Sequence, residues 1–456
     1  MPLHIRGIFY YPSTFLSVRL ANHATSWTGP LMNPSKRAIF VCLAGALFFY
    51  YAFFQMAIFN SLSQDLLVSF HLQAAQLGNL SGAYFLADAI VLIPTGLLLD
   101  RFSAKGLMLI VMGLCTISTL FFAYTTSLSV ATTAHAIAGI GNAFAFLGSM
   151  TLASRFLSHK RLALGMGLII TIGMIAGVVA QTPFTLLIQH VGWRHAVMIN
   201  GLSGVLIWVF MLLALKDKPD NAILPQSTQS LSLIKQIAKV TRNPQNWICG
   251  AYTTLMYLPI VILGELWGVM YLTQARGFTT THASNITSMI FLGMMLGSPV
   301  LGWFSDKITR RKSPMILTAL LTLSTVAWIL YDPYLSMSSL MALFFALGFF
   351  ACGQVISYPT MAECNPVQLT GSALSIVAIT LNLGSAITQP LFGWIMHWNY
   401  PASQHITQYA PGDYNSAIII LPVALILAIG LSLRVRETFC RNDLMSEETP
   451  SSATQV

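Results

Sequence analysis

Three ionisable side chains stand inside long apolar runs of this sequence: Asp88, His135 and Glu265. Ionisable residues in such surroundings are rare and usually functional. A carboxylate there suits a proton site or the amine of a cationic or zwitterionic solute. For Asp88, near the middle of the second apolar run, pairing with a neighbouring helix is the competing reading. His135 titrates near neutral pH and suits proton relay; a neutral imidazole held in a helix bundle is the alternative. No lysine or arginine accompanies these groups at depth. An anionic solute is normally met by Arg or Lys, so the pattern argues against phosphorylated sugars and polycarboxylates.

Enzyme chemistry finds no footing. Gly139-x-Gly141 lacks the third glycine of a phosphate-binding loop and lies inside an apolar run, and no His-Glu-x-x-His occurs. The six cysteines (Cys42, Cys115, Cys249, Cys352, Cys364, Cys440) include no C-x-x-C pair. They read as small buried fillers rather than as disulfides or zinc ligands. No catalytic residue, metal or cofactor is expected.

The scaffold around these side chains follows from composition. The chain has 456 residues, 55% hydrophobic and only 8% charged, against roughly 25% charged in a soluble domain. Mean hydropathy is +0.70. This is the composition of a polytopic, all-α membrane protein. A span needs about 20 mostly apolar residues, and twelve segments meet that template. They lie near 38–60, 78–98, 106–124, 128–150, 163–190, 195–215, 246–272, 283–303, 314–331, 336–358, 370–396 and 414–434. The chain therefore divides into an N-terminal extension (1–35), a first six-helix half (36–215), a central loop (216–245), a second half (246–435) and a polar, mobile tail (436–456). Residues 1–31 lack the apolar core of a secretory signal. They read as a disordered extension or a misassigned start, and the first segment as an uncleaved anchor.

Charge placement tests this topology. With both termini cytoplasmic, all of the 23 lysines and arginines except Arg194 and Arg276 fall inside, as the positive-inside rule requires. The net charge of +9 thus belongs to membrane flanks, not to nucleic acid. The halves also repeat. Gly96-x-x-x-Asp100-Arg101, with Lys105 beyond, recurs as Gly302-x-x-x-Asp306-Lys307 with Arg310 and Arg311, at an offset of 206 for the shared glycine and aspartate. Gly177 and Pro183 recur as Gly384 and Pro390 at an offset of 207. Two landmarks at nearly one offset indicate a duplicated six-helix unit.

Gly96-x-Leu98-x-Asp100-Arg101-x-Ser103-x-Lys105 resembles the loop 2–3 signature of the major facilitator superfamily, with Ser103 in place of a glycine. The loop 8–9 copy is the degenerate partner, and the resemblance covers residues 36–436. It implies two pseudo-symmetric six-helix halves that rock about a midplane site. It also implies that Gly96, Asp100, Arg101, Lys105, Gly302, Asp306 and Arg310 hold the halves together on the cytoplasmic side when the cavity opens outward. Helices 1, 4, 7 and 10 of that fold line the cavity. On that ground Tyr51, Gln55, Tyr257, Trp267, Gln354 and Tyr358, with Asn382 of helix 11, join Glu265, His135 and Asp88 as candidate substrate or proton residues.

Two departures from the family pattern stand out. His135 precedes Gly139-Ile-Gly141 where proton-coupled members often carry arginine. The helix-5 glycines Gly167, Gly173 and Gly177 only loosely match the family's Gly/Pro motif, and close helix packing explains them equally well. The Tyr-Tyr-x-Phe-Phe stretch at 50–54 and Leu266-Trp267-Gly268 are similar to a bacterial branch akin to the lysosomal dipeptide-transporting members. The expected function is secondary active transport of a small neutral or zwitterionic, amino-acid- or peptide-like solute. Coupling to protons, residence in a bacterial inner membrane and a monomeric state go with that reading. Rival readings are an exporter of a drug or siderophore and, in another class, a non-transporting membrane receptor.

Overall fold

The computed structural model describes residues 34–217, 238–332, 334–366, 369–398, 400–401 and 407–440. The expected N-terminal extension, most of the central loop and the tail beyond residue 440 lie outside them. Among the described residues the chain is helical throughout. Seven helices build the first half: α1 (Pro34–Ser69), α2 (Ala74–Arg101), α3 (Ala104–Tyr124), α4 (Leu128–Phe156), α5 (His159–Ala180), α6 (Thr182–Val191) and α7 (Trp193–Ala214). The second half comprises α8 (Pro244–Glu265), α9 (Gly268–Met270) running into a π-turn (Tyr271–Ala275), α10 (Thr280–Lys307), α11 (Lys312–Tyr331), α12 (Met337–Ala351), α13 (Ser357–Glu363), α14 (Thr370–His397), α15 (Pro411–Ile418) and α16 (Ile420–Ser432).

Eleven of the described stretches are long and apolar enough to cross a bilayer, and the bent pair α5–α6 supplies a twelfth. The helices present apolar side chains outward: Ile110, Leu114, Ile117 and Phe121 of α3 recur at helical spacing and are all exposed. A helix apolar on every face is a membrane span.

Where the sequence predicts four continuous segments, the structure interrupts them. The fifth bends by 42° at Gln181, where Pro183 opens α6 and supplies no backbone N–H. The seventh breaks at Leu266–Trp267, between α8 and α9. The tenth passes through a 3₁₀ turn (Cys352–Ile356), and the twelfth changes register at Ile419. Irregular backbone at depth is tolerated only where protein groups satisfy it.

The two halves meet along α2–α14 and α5–α10. At one end of the α2–α14 seam the backbones touch: a Cβ on Gly78 would collide with Gln389 and Pro390, and one on Gly393 with Ala74. Contact fades toward the end carrying the α2–α3, α4–α5 and α10–α11 loops, here called the basic end. A side chain added at Gly96, Gly302 or Gly371 would meet open space. Between α5 and α10 the same end holds a cavity of about 390 Å³ lined by Gly167, Thr171, Met174, Met294 and Ser298. Among the described residues the halves are in backbone contact along α2–α14 at the far end and stand apart along the same seam at the basic end. Of the helix-5 glycines, Gly173 and Gly177 receive the rings of Phe49 and Phe291, whereas Gly167 borders the cavity.

Candidate functional site

Asp88 lies on the seam itself. Its Oδ2 accepts one hydrogen bond from Asn142 Nδ2 of α4 at 2.7 Å and another from Asn382 Nδ2 of α14 at 3.1 Å. One amide comes from each half. Asp88 Oδ1 and Asn142 Oδ1 are buried with no hydrogen-bond partner among the described residues.

Glu265 is the last residue of α8 and is buried. Eight residues are a little over two helical turns, so Tyr257 lies on the same face and its hydroxyl donates to Glu265 Oε1 at 2.8 Å. Glu265 Oε2 is buried and unpartnered. Trp267, in the break that follows, packs against Phe392 with ring centroids 5.2 Å apart. Gln354 sits in the 3₁₀ turn of the tenth span with its Oε1 buried and unpartnered. Tyr358 lies on α13 against the cluster of Val240, Cys249 and Leu369, toward the basic end.

The remaining candidates lie within the first half. Tyr51 and Gln55 both donate to Thr119 Oγ1 of α3, at 3.1 and 2.7 Å. His135 stacks on Phe59 with centroids 3.7 Å apart, and Tyr84 and Phe122 complete its aromatic surround. It borders a small pocket of about 10 Å³ shared with Gln55 and Thr119, room for about one water. Tyr51, Gln55 and His135 thus form one group, and Tyr84, which packs on His135, lies one turn of α2 from Asp88.

A cluster of amides closes the far end. Asn60 Nδ2 of α1 donates to the carbonyls of Leu263 and Gly264 and to Gln181 Oε1. Gln181 Nε2 also reaches Gly264 O, at 3.0 Å, and its Oε1 accepts from Thr287 Oγ1 at 2.8 Å. Thr182 donates to Asn285, and Thr185 shares a hydrogen bond with Ser284. Gln389 Nε2 donates to Val261 O, leaving its Oε1 buried and unpartnered. Sequence reasoning missed Asn60, Asn142, Thr287 and Gln389 as interior polar groups. Their signal was uncharged amides and hydroxyls within apolar runs, which a search for ionisable groups passes over.

At the basic end the repeated motif is tied within each half. In the first, Asp217 accepts from Ser103 Oγ and from the backbone N–H of Lys105, and Lys105 Nζ donates to Leu212 O. In the second, Glu437 accepts from the backbone N–H groups of Arg311 and Lys312, and Lys312 Nζ donates to Leu433 O. Arg311 also bridges Asp306 and Glu363, each at 2.6 Å. Burial alone would lower the Arg311 pKa, but its bonds to Glu363 and Asp306 outweigh that and raise it, fixing the charge. Asp100 occupies the last turn of α2, Arg101 is exposed beside it, and Arg310 is exposed in the facing loop. The C-terminal residues near 437, expected to be mobile, are held by these bonds.

The interior therefore presents a particular chemistry. Asp88, Asn142, Glu265, Gln354 and Gln389 each hold a buried oxygen without a donor. Every described lysine and arginine lies in a loop or within a few residues of a helix end. Trp267 Nε1 and Asn200 Nδ2 are buried donors that also lack a partner among the described residues. Buried polar groups left unpaired cost about 1–3 kcal/mol each, so such an interior favours a guest that brings hydrogen-bond donors together with acceptors.

Comparison with known proteins agrees with this architecture. The family model described as Major Facilitator Superfamily matches residues 43–270 and 254–453. The membrane sensor protein UhpC of Salmonella typhimurium is 26% identical over 407 residues, covering 84% of this chain and 90% of that protein. A D-galactonate transporter of Escherichia coli is 26% identical over 398 residues, covering 80% and 89%. Among solved structures, a bacterial homologue of the human lysosomal transporter Spinster, inward-facing and unoccupied, superposes with a TM-score of 0.73 at 17% identity. That match covers 91% of this chain and 99% of that one.

Proposed function

This chain belongs to the Major Facilitator Superfamily and is a multi-pass secondary transporter of a small molecule; from that premise we propose that it carries a neutral or zwitterionic, donor-rich organic solute. Movement is by alternating access and is coupled to protons through Glu265. The observation that carries the reading is the set of unpartnered buried oxygens at Asp88, Asn142, Glu265, Gln354 and Gln389 beside the unpartnered donor Trp267 Nε1, with no described lysine or arginine at their depth. Solute hydroxyl or ammonium groups would satisfy them. An acidic sugar such as the galactonate named for one relative would need a countercharge this interior lacks. Amino acids and small peptides fit the same donor requirement, though no relative named above points to them.

The membrane is read as a bacterial inner membrane, with the basic end cytoplasmic by the positive-inside rule. On that orientation the conformation is inward-open. Closure then brings the basic-end motif of Gly96, Asp100, Arg101 and Lys105 against the second half, with Gly302, Asp306 and Arg310 opposite. The protein acts as a monomer.

The test is uptake into proteoliposomes, with and without an imposed pH gradient. The panel contains nucleosides and polyols, amino acids and dipeptides, and sugar phosphates with galactonate. Gradient-driven accumulation of a neutral or zwitterionic member supports the reading, and preference for the anions overturns it. Saturable binding without uptake points instead to a membrane sensor, as the UhpC relative is named.

A further inference from the structure

Asn60 occupies an unusual place. In an unbroken helix, the carbonyls of Leu263, Gly264 and Glu265 would accept from the N–H groups of Trp267, Gly268 and Val269. Here Trp267 N donates instead to Ile262 O, at 2.8 Å. Leu263 O and Gly264 O accept from Asn60 Nδ2 at 3.2 and 3.0 Å, and Val269 N donates to Asn60 Oδ1 at 3.0 Å. One carboxamide from the first half thus stands in for a missing peptide group in the second. It donates to the helix before the break and accepts from the helix after it.

We propose that Asn60 is a positioning residue that holds the seventh span broken next to Glu265, and that this span closes into a continuous helix when the halves part at the far end. Alternating access requires that parting, and it withdraws Asn60 from α8 and α9. Backbone groups left unpaired in an apolar interior must find new partners. The nearest are each other, in the ordinary i to i−4 pattern. Gly268 is a second, independent mark of the same device. In the broken form a Cβ there would fall on the carbonyl oxygen of Leu263, whereas a continuous helix accepts alanine at any interior position. The break needs glycine and the unbroken span does not.

Closing the helix carries it past Glu265, so Glu265 stands at a helix end only while Asn60 is docked, and its surroundings beyond the contact with Tyr257 change with the span. That coupling consequence rests on the role proposed above for Glu265; the two-state span does not.

The test uses the full chain in lipid nanodiscs with its six cysteines replaced. Spin labels go at His190→Cys on α6 and His282→Cys on α10, both exposed on opposite halves at the far end. Asn60→Ala removes three hydrogen bonds at the break and should move the open-to-closed ratio roughly tenfold toward long distances. Gly268→Ala should shift it the same way, and the double variant should go little further than the stronger single one. Asn60→Asp keeps the acceptor for Val269 N and should fall between. If Asn60→Ala does not fold, Gly268→Ala decides alone. An unchanged distance distribution in either foldable variant, or full additivity, overturns the proposal. The labels report geometry without transport, so an error about Glu265 appears only in the gradient assay.

Discussion

Asn382 of α14 donates to Asp88 of α2 at 3.1 Å across the seam between the halves. The same carboxylate oxygen accepts from Asn142 within its own half. Asp88 is therefore shared between a partner that moves with it and one that does not.

Replacing Asn382 with leucine removes the moving partner only. A hydrogen bond to a charged group is worth about 1.5–3 kcal/mol, so the contact between the halves at the middle of the α2–α14 seam should weaken by about that amount. The expected outcome is a lower thermal midpoint and a several-fold change in uptake rate, with binding nearly intact. Unchanged uptake and stability would show that the contact is incidental.

Glu265→Gln mimics a permanently protonated acid. Solute exchange between loaded vesicles should survive, and accumulation driven by a pH gradient should vanish. If accumulation persists, Asp88 takes over the coupling role or the protein is a uniporter. Tyr257→Phe, which removes the donor to Glu265, should alter the pH dependence without abolishing exchange. His135→Ala should have a smaller effect than Glu265→Gln, because His135 is enclosed by the rings of Phe59, Tyr84 and Phe122.

Gly96 faces open space in this conformation. Gly96→Leu should therefore leave folding and solute binding near normal while blocking closure at the basic end. Transport should fall to background in uptake assays. Asp100→Asn should reduce transport with equally normal folding. Wild-type rates in both variants would remove the motif from the mechanism.

Asp217 and Glu437 each accept backbone hydrogen bonds at the start of the third span of their own half. Asp217→Ala and Glu437→Ala should each cost about 1–2 kcal/mol, as loss of a helix cap does. Thermal melts in detergent read this directly, and the two losses should add because the sites lie in separate halves.

Much of this was legible in the residues. Apolar runs and basic loops fixed the spans, because hydrocarbon tolerates neither charge nor unpaired backbone. The offset of Gly96 to Gly302 carried the duplication. The breaks were hidden, because Leu266-Trp267 is as apolar as a helix interior and its break depends on Asn60, some 200 residues away in sequence. Tyr51 and Gln55 illustrate the same difficulty. Both lie on the first span, yet which of its faces meets Thr119 and which meets the other half is decided by packing that no single segment encodes. Asp88 and Glu265 stood out as acids; the amides that hold Asp88 did not, because an uncharged side chain in an apolar run carries a weaker signal.

The bonds of Glu437 to the start of α11, with those of Thr438 to Glu363 and of Arg436 N to Gln245, make residues 436–438 a strap. It lashes the last span to three other elements of the second half. For anyone handling the protein, this fixes where the chain can be cut or extended. A purification tag or fluorescent fusion joined at residue 435 would cut the strap away and free the end of the last span from those three elements. The same fusion placed after residue 440 would leave it fastened.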